Sequence, residues 1–257
     1  MKLDCVVTAV NENPLYLDFV PLFIKSWNAL YPTVDVKIIL IAKMIPNELL
    51  EFEKNIIVFE PIENVLTSFT SQIIRLLYPC ILDYENGVLI TDMDMIPMNK
   101  TYYTENIKPF DNDRFIYYRE NVCFHYKQIA MCYNVATPKI WRDIFRIHSI
   151  DDIRKYIKAV HDKNVIKEGH GNTGWSIDQE TLYNKAREWN SKTGYFVRLN
   201  EKKTGFKRLD RINMDIYDIN TITNIKNGVY TDYHCCRPMK DFTDVNWYIY
   251  ELLLTQA

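Results

Sequence analysis

Apolar and polar positions alternate along the first half of the chain in two rhythms. Residues 4–10 (DCVVTAV) form a β-branched run of buried-strand length, and residues 15–30 place apolar side chains at helical spacing up to Tyr31-Pro32. Residues 34–41 predict a second strand, 46–53 a short helix and 55–59 a third strand. Residues 67–82 predict a longer helix with Pro79 near its end, and 88–91 (VLIT) a short apolar strand running into acidic residues. Repetition of strand and helix predicts an α/β fold with a mostly parallel, Rossmann-like central sheet flanked by helices. Ligands of such sheets bind beyond the carboxyl ends of the strands.

The second half is less regular. Residues 114–118, 129–133, 196–199 and 229–233 read as strands, and 138–145, 151–160, 178–189 and 245–254 as helices, which predicts a smaller mixed sheet there. No repeat or Gly/Ser linker marks a boundary, so residues 1–257 are expected to form a single domain.

Hydrophobic residues make up 47% and charged residues 25%, enough for a packed core and too apolar for disorder. A formal charge of -2 lacks the basic excess that phosphate-backbone binding needs, so nucleic acid is not an expected partner. The N-terminal apolar run is too brief for a secretory segment or membrane span. Six cysteines without a CxxC predict reduced thiols and a cytoplasmic setting, the host cytoplasm if the chain is viral.

The strongest chemical signal is Val88-Leu89-Ile90-Thr91-Asp92-Met93-Asp94-Met95-Ile96-Pro97. Two carboxylates with one residue between them, at the end of an apolar strand, stand where a parallel sheet presents its ligand. Carboxylate oxygens are hard donors suited to Mn²⁺ or Mg²⁺, whose remaining ligands are usually substrate phosphates and water. The alternative is a turn with two solvated acids. Zinc-type donors also occur (Cys123, His125, Cys132, His161, His170, His234, Cys235, Cys236), but their spacings match no familiar closed site.

Around this element the chain resembles the GT-A nucleotide-sugar glycosyltransferases, among them glycogenin, the bacterial lipopolysaccharide galactosyltransferases and small viral or bacterial transferases. Val6-Val7-Thr8-Ala9-Val10-Asn11 followed by Tyr16 is similar to their opening strand and helix entry. Ser71-Gln72-Ile73-Ile74-Arg75-Leu76-Leu77-Tyr78-Pro79 is similar to the helix before their Asp-x-Asp. Met131-Cys132-Tyr133-Asn134-Val135-Ala136 with Trp141-Arg142, then Asp178-Gln179, then Tyr233-His234 follow in the same order, so the resemblance spans about residues 4–240. Where glycogenin-like enzymes continue with a Gly and a Lys-Pro-Trp, this chain has Cys235-Cys236-Arg237-Pro238-Met239-Lys240.

The resemblance implies a UDP-sugar donor, a glycan or other hydroxyl acceptor, and Mn²⁺ or Mg²⁺ held by Asp92, Asp94 and His234. It implies a nucleotide-binding half over 1–100 and an acceptor-binding half over 101–257. Thr8, Ala9, Asn11 and Tyr16 would meet the base, Tyr16 by stacking, with Arg75, Asp92 and Met93 beside the donor and Arg237 and Lys240 on the diphosphate. The glycine-rich Gly169-His170-Gly171-Asn172-Thr173-Gly174-Trp175 would be a sugar loop. Asp178 is the expected catalytic base of an inverting reaction; a donor-sugar role in a retaining one, or a plain helix N-cap, are its alternatives. A metal-dependent phosphoester or nucleotide-sugar hydrolase and a non-catalytic nucleotide-sugar-binding protein are the other function classes open at this point.

Overall fold

A computed structural model describes residues 1–167, 169 and 171–256. Seven strands form the main sheet: β1 (Leu3–Asn11), β2 (Asp35–Ile41), β3 (Ile56–Phe59), β4 (Gly87–Ile90), β6 (Phe115–Tyr117), β7 (Asn134–Ala136) and β8 (Phe196–Arg198). Their order is β3-β2-β1-β4-β7-β6-β8, parallel throughout except that β7 runs against both neighbours. A second, mixed sheet has the order β5-β10-β9, from β5 (Met95–Pro97), β9 (Arg208–Asp210) and β10 (Asp232–His234). The expected α/β layout is therefore present. The small sheet is not confined to the C-terminal half, because β5 begins at the residue after Asp94.

The central strands are apolar on both faces because helices cover both. Val6, Val7, Leu89 and Ile90 are fully buried, and each such side chain contributes roughly 1.5–3 kcal/mol. Trp141 ties helix Pro138–Phe145 to β4 by donating its indole N–H to the Val88 carbonyl at 3.1 Å, with its ring edge-on to Phe115. Among the described residues, no helix is long and apolar enough to cross a membrane.

Several elements depart from the sequence expectation. The helix expected over 15–30 is two, Pro14–Leu17 and Val20–Leu30, since Pro21 would clash with the carbonyl of Leu17 in a continuous helix. Pro79 likewise ends the next helix at Leu77 and leaves a 3₁₀ turn, Tyr78–Ile81. The strand expected over 129–133 is a 3₁₀ turn at Met131–Tyr133, with β7 starting at Asn134. Asn134 fixes that turn by donating its side-chain amide to the carbonyls of Ala130 and Met131.

Candidate active site

A cavity of about 330 Å³ opens where β1 and β4 end, within the size range of small-molecule sites. Its first wall is helix Thr67–Leu77. Phe69, Ile73, Ile74 and Leu77 of that helix are buried, which turns Ser68, Ser71, Gln72 and Arg75, at helical spacing, toward the cavity.

Arg75 is the hinge of the polar floor. Its guanidinium pairs with Asp92 and, at 3.0 Å, with Asp178. Burial alone would lower its basicity, but the two carboxylates raise it, so the bridge stays charged. Asp178 sits in the first turn of helix Ile177–Thr193, whose N-cap is Ser176, so it is not a cap itself. One carboxylate oxygen of Asp178 accepts from Gln72 Nε2 at 3.2 Å and from the Gln179 N–H at 2.8 Å; the other faces Arg75. Burial pushes its pKa up to about 6, against the opposing pull of Arg75.

The second wall is built by the register of the small sheet. His234 stands opposite Met95 on β5 and beside Asp210 on β9, so pairing alone brings Asp94, His234 and Asp210 together. The Cys235 N–H donates to the Asp94 carbonyl at 2.9 Å and locks that junction. His234 points Nε2 toward Asp94 Oδ2 (3.4 Å) and Nδ1 toward Asp210 Oδ2 (3.5 Å). Arg211 donates to the same Asp94 oxygen at 3.1 Å, and Arg237 lies 3.4 Å from it. Burial acts to raise the Asp94 pKa, yet His234, Arg237 and Arg211 hold it down at about 2.

The donor types suit a hard divalent cation: the carboxylates of Asp92 and Asp94 and the imidazole of His234 all line the cavity, and the imidazole's far nitrogen is turned to Asp210 as metal-bound histidines usually have it. Their arrangement is one in which the protein's own cations stand on both carboxylates. Among the described residues, no three His, Cys, Asp or Glu side chains are gathered closely enough to hold an ion.

Of the residues singled out in the sequence, Ala9, Asn11, Tyr16, Arg75, Asp92, Met93, Asp94, Asp178, His234 and Arg237 line the cavity. Arg237 donates to the Tyr16 hydroxyl, with its guanidinium 5.3 Å from the ring centroid. Thr8 and Lys240 do not line it. Thr8 is fully buried within β1, where neighbouring strands and helices cover both faces, and Lys240 is exposed on the 3₁₀ turn Met239–Asp241. Gly169, Gly174 and Trp175 of the glycine segment contribute to the wall, while His170 lies outside the described residues. Gly169 and Gly174 have φ of +108° and +93°, where a side chain would be strained. The sequence reading missed Gln72 as a contact of Asp178, and missed Asp210 and Arg211 entirely. The one signal for Arg211 was a cation one residue past an Asp in a polar segment.

No family model matches the sequence, and no curated protein matches it. Solved structures do resemble it. Those that resemble it over nearly its full length include glycosyltransferases. One is the galactosyltransferase LgtC in complex with donor and acceptor sugar analogs, at 15% identity over 98% of this chain and 96% of that one, TM-score 0.48. Another is the glycosyltransferase GlyE of Streptococcus pneumoniae TIGR4, at 16% identity over 99% of this chain and 62% of that one, TM-score 0.49. A third is a glycosyltransferase involved in glycosylation of the major capsid of PBCV-1, at 10% identity over 97% and 99%, TM-score 0.41. At such identities function has to be read from the site's own residues.

Proposed function

We propose that this chain is a glycosyltransferase that moves a sugar from a UDP-sugar to a hydroxyl acceptor with Mn²⁺ or Mg²⁺ bound. The observation that carries the reading is the convergence of two sheets on one cavity: β4 delivers Asp92 and Asp94, and the small sheet delivers His234 against Asp94. Cleaving a sugar–diphosphate bond builds negative charge on the leaving phosphate, and Asp92, Asp94 and His234 would hold the metal, which would supply Lewis-acid neutralisation of that charge. Arg237 adds a fixed cation on the same lip. Tyr16, half-buried at the cavity edge, offers a ring face to the base. Arg75, tied to Asp92 and Asp178, joins the diphosphate end of the site to the sugar end.

In this reading the reaction inverts and Asp178 takes the acceptor proton, ionised at neutral pH because its pKa is about 6. A retaining reaction is the second reading, favoured by the hydrogen bonds that both Asp178 oxygens already accept, since a carboxylate so anchored suits holding donor-sugar hydroxyls. Proton NMR of the product anomer separates the two.

A thermal-shift series with UDP and Mn²⁺ tests the binding half of the proposal. Ligand that binds only the folded state raises the melting temperature by mass action. UDP with Mn²⁺ should raise it, EDTA should remove most of the rise, and Tyr16→Ala should weaken UDP about tenfold, as aromatic stacking on a base is worth roughly 1–3 kcal/mol. No shift with any nucleotide at millimolar concentration would sink the donor assignment. An unchanged UDP affinity in Tyr16→Ala would return that ring to packing.

A further inference from the structure

Asp94 Oδ2 faces two guanidiniums, more positive charge than one carboxylate needs for its own balance, and an imidazole nitrogen besides. Arg211 donates to it at 3.1 Å, Arg237 lies 3.4 Å away, and His234 Nε2 another 3.4 Å. Arg211 is the residue after β9, so the β9–β10 register that sets Asp210 beside His234 also places its guanidinium over Asp94. A second bond from Arg211 to the Cys235 carbonyl, at 2.8 Å, holds it there. Both arginines line the cavity, with side chains 18% and 19% exposed. A divalent cation binding this carboxylate through either oxygen would repel guanidiniums that stayed within 3.1–3.4 Å of it, across a poorly screened gap.

We infer that Arg211 is a positioning residue that couples metal binding to donor binding. This rests on the reading of the cavity as a UDP-sugar site. In the free protein Arg211 stands on Asp94 as an internal counter-ion and opposes a metal arriving alone. A nucleotide diphosphate gives Arg211 a new anion, so it can leave Asp94 as the metal takes its place. Cavity charges make the same point: Arg75, Lys167, Arg211 and Arg237 face Asp92, Asp94 and Asp178, so a bare divalent ion adds to a positive excess, whereas metal and diphosphate together nearly cancel. Metal and nucleotide should therefore bind with positive coupling, and each should tighten the other by the same factor.

Mn²⁺ binding to the 257-residue chain, followed by electron paramagnetic resonance of the free ion with and without UDP, tests this. In the wild type, UDP should tighten Mn²⁺ by on the order of tenfold or more. In Arg211→Met, Mn²⁺ alone should bind about fivefold or more tighter while UDP in the presence of Mn²⁺ binds weaker, so the coupling shrinks from both sides. Arg211→Lys, which keeps the charge, should restore most of it. Circular dichroism confirms that each variant is folded. A purely structural role would weaken both affinities together; that outcome, or coupling in Arg211→Met equal to wild type, or Mn²⁺ undetectable in every protein, overturns the inference. Wild-type protein that binds Mn²⁺ but no UDP overturns the donor reading instead, and the effect of Arg211→Met on Mn²⁺ alone still reads Arg211 directly.

Discussion

On the proposed reading, Asp94→Asn should lower glycosyl transfer by roughly 10²–10³-fold or more, because it would take a charged ligand from a metal expected to contribute several kcal/mol toward the departing diphosphate. Asn keeps the shape of the side chain but offers a neutral oxygen to His234, Arg211 and Arg237. Asp94 is buried, whereas the two arginines keep partial contact with water, so the loss of their counter-charge should cost roughly 1–3 kcal/mol, less than breaking a fully buried pair. A domain with a typical stability of about 5–15 kcal/mol stays folded under that loss. UDP release measured beside a thermal melt separates lost chemistry from lost fold. Turnover within a few-fold of wild type, in a folded variant, would exclude Asp94 from the metal site.

Asp178 carries the second large effect. Ionised Asp178 as base predicts that kcat falls on the acid side with a midpoint near its pKa of about 6. Asp178→Asn should reduce turnover roughly 10²–10⁴-fold and abolish that limb. The groups facing Asp178 are Arg75, Gln72, the Gln179 N–H and, across the Arg75 bridge, Asp92, and none of the neutral ones titrates in this range. The stability sign is the reverse of an ordinary salt bridge. Its folded pKa lies above the unfolded value near ~4, so ionising Asp178 takes stability away as pH rises from about 4 through 6. Replacement by neutral Asn should therefore be tolerated, with Arg75 still paired to Asp92. A folded variant with full turnover and an unaltered pH profile would reduce Asp178 to a residue that positions Arg75.

Some residues legible in the sequence take their position from local pattern, while others, Tyr16, His234 and Arg237 among them, follow from the order of motifs in the resemblance. Asp92 and Asp94 end an apolar strand, Arg75 lies on the polar face of a helix whose other face is buried, and Asp178 opens a helix after a glycine cluster. Arg211 and Asp210 had no such pattern. They belong to a three-residue strand in a polar stretch, and only its pairing with β10, some 24 residues on, puts them on Asp94. Nonlocal register of that kind leaves no period to read. Proline decided the helix boundaries that periodicity overran, at Pro21 and Pro79. Thr8 marks the opposite limit: the resemblance placed it at the base, and its burial within β1 takes it out of the cavity wall.

Acceptor-dependent consumption of a UDP-sugar tests the central claim most directly. Purified protein with Mn²⁺, a panel of UDP-sugars and a panel of hydroxyl acceptors, followed by proton NMR, should show one donor losing its anomeric signal as UDP and a new glycosidic signal appear together, much faster with acceptor than without, and not at all in EDTA. Release of free sugar at the same rate without acceptor would make the chain a hydrolase, and tight UDP-sugar binding with no turnover under any acceptor would make it a binding protein; either result contradicts the transferase.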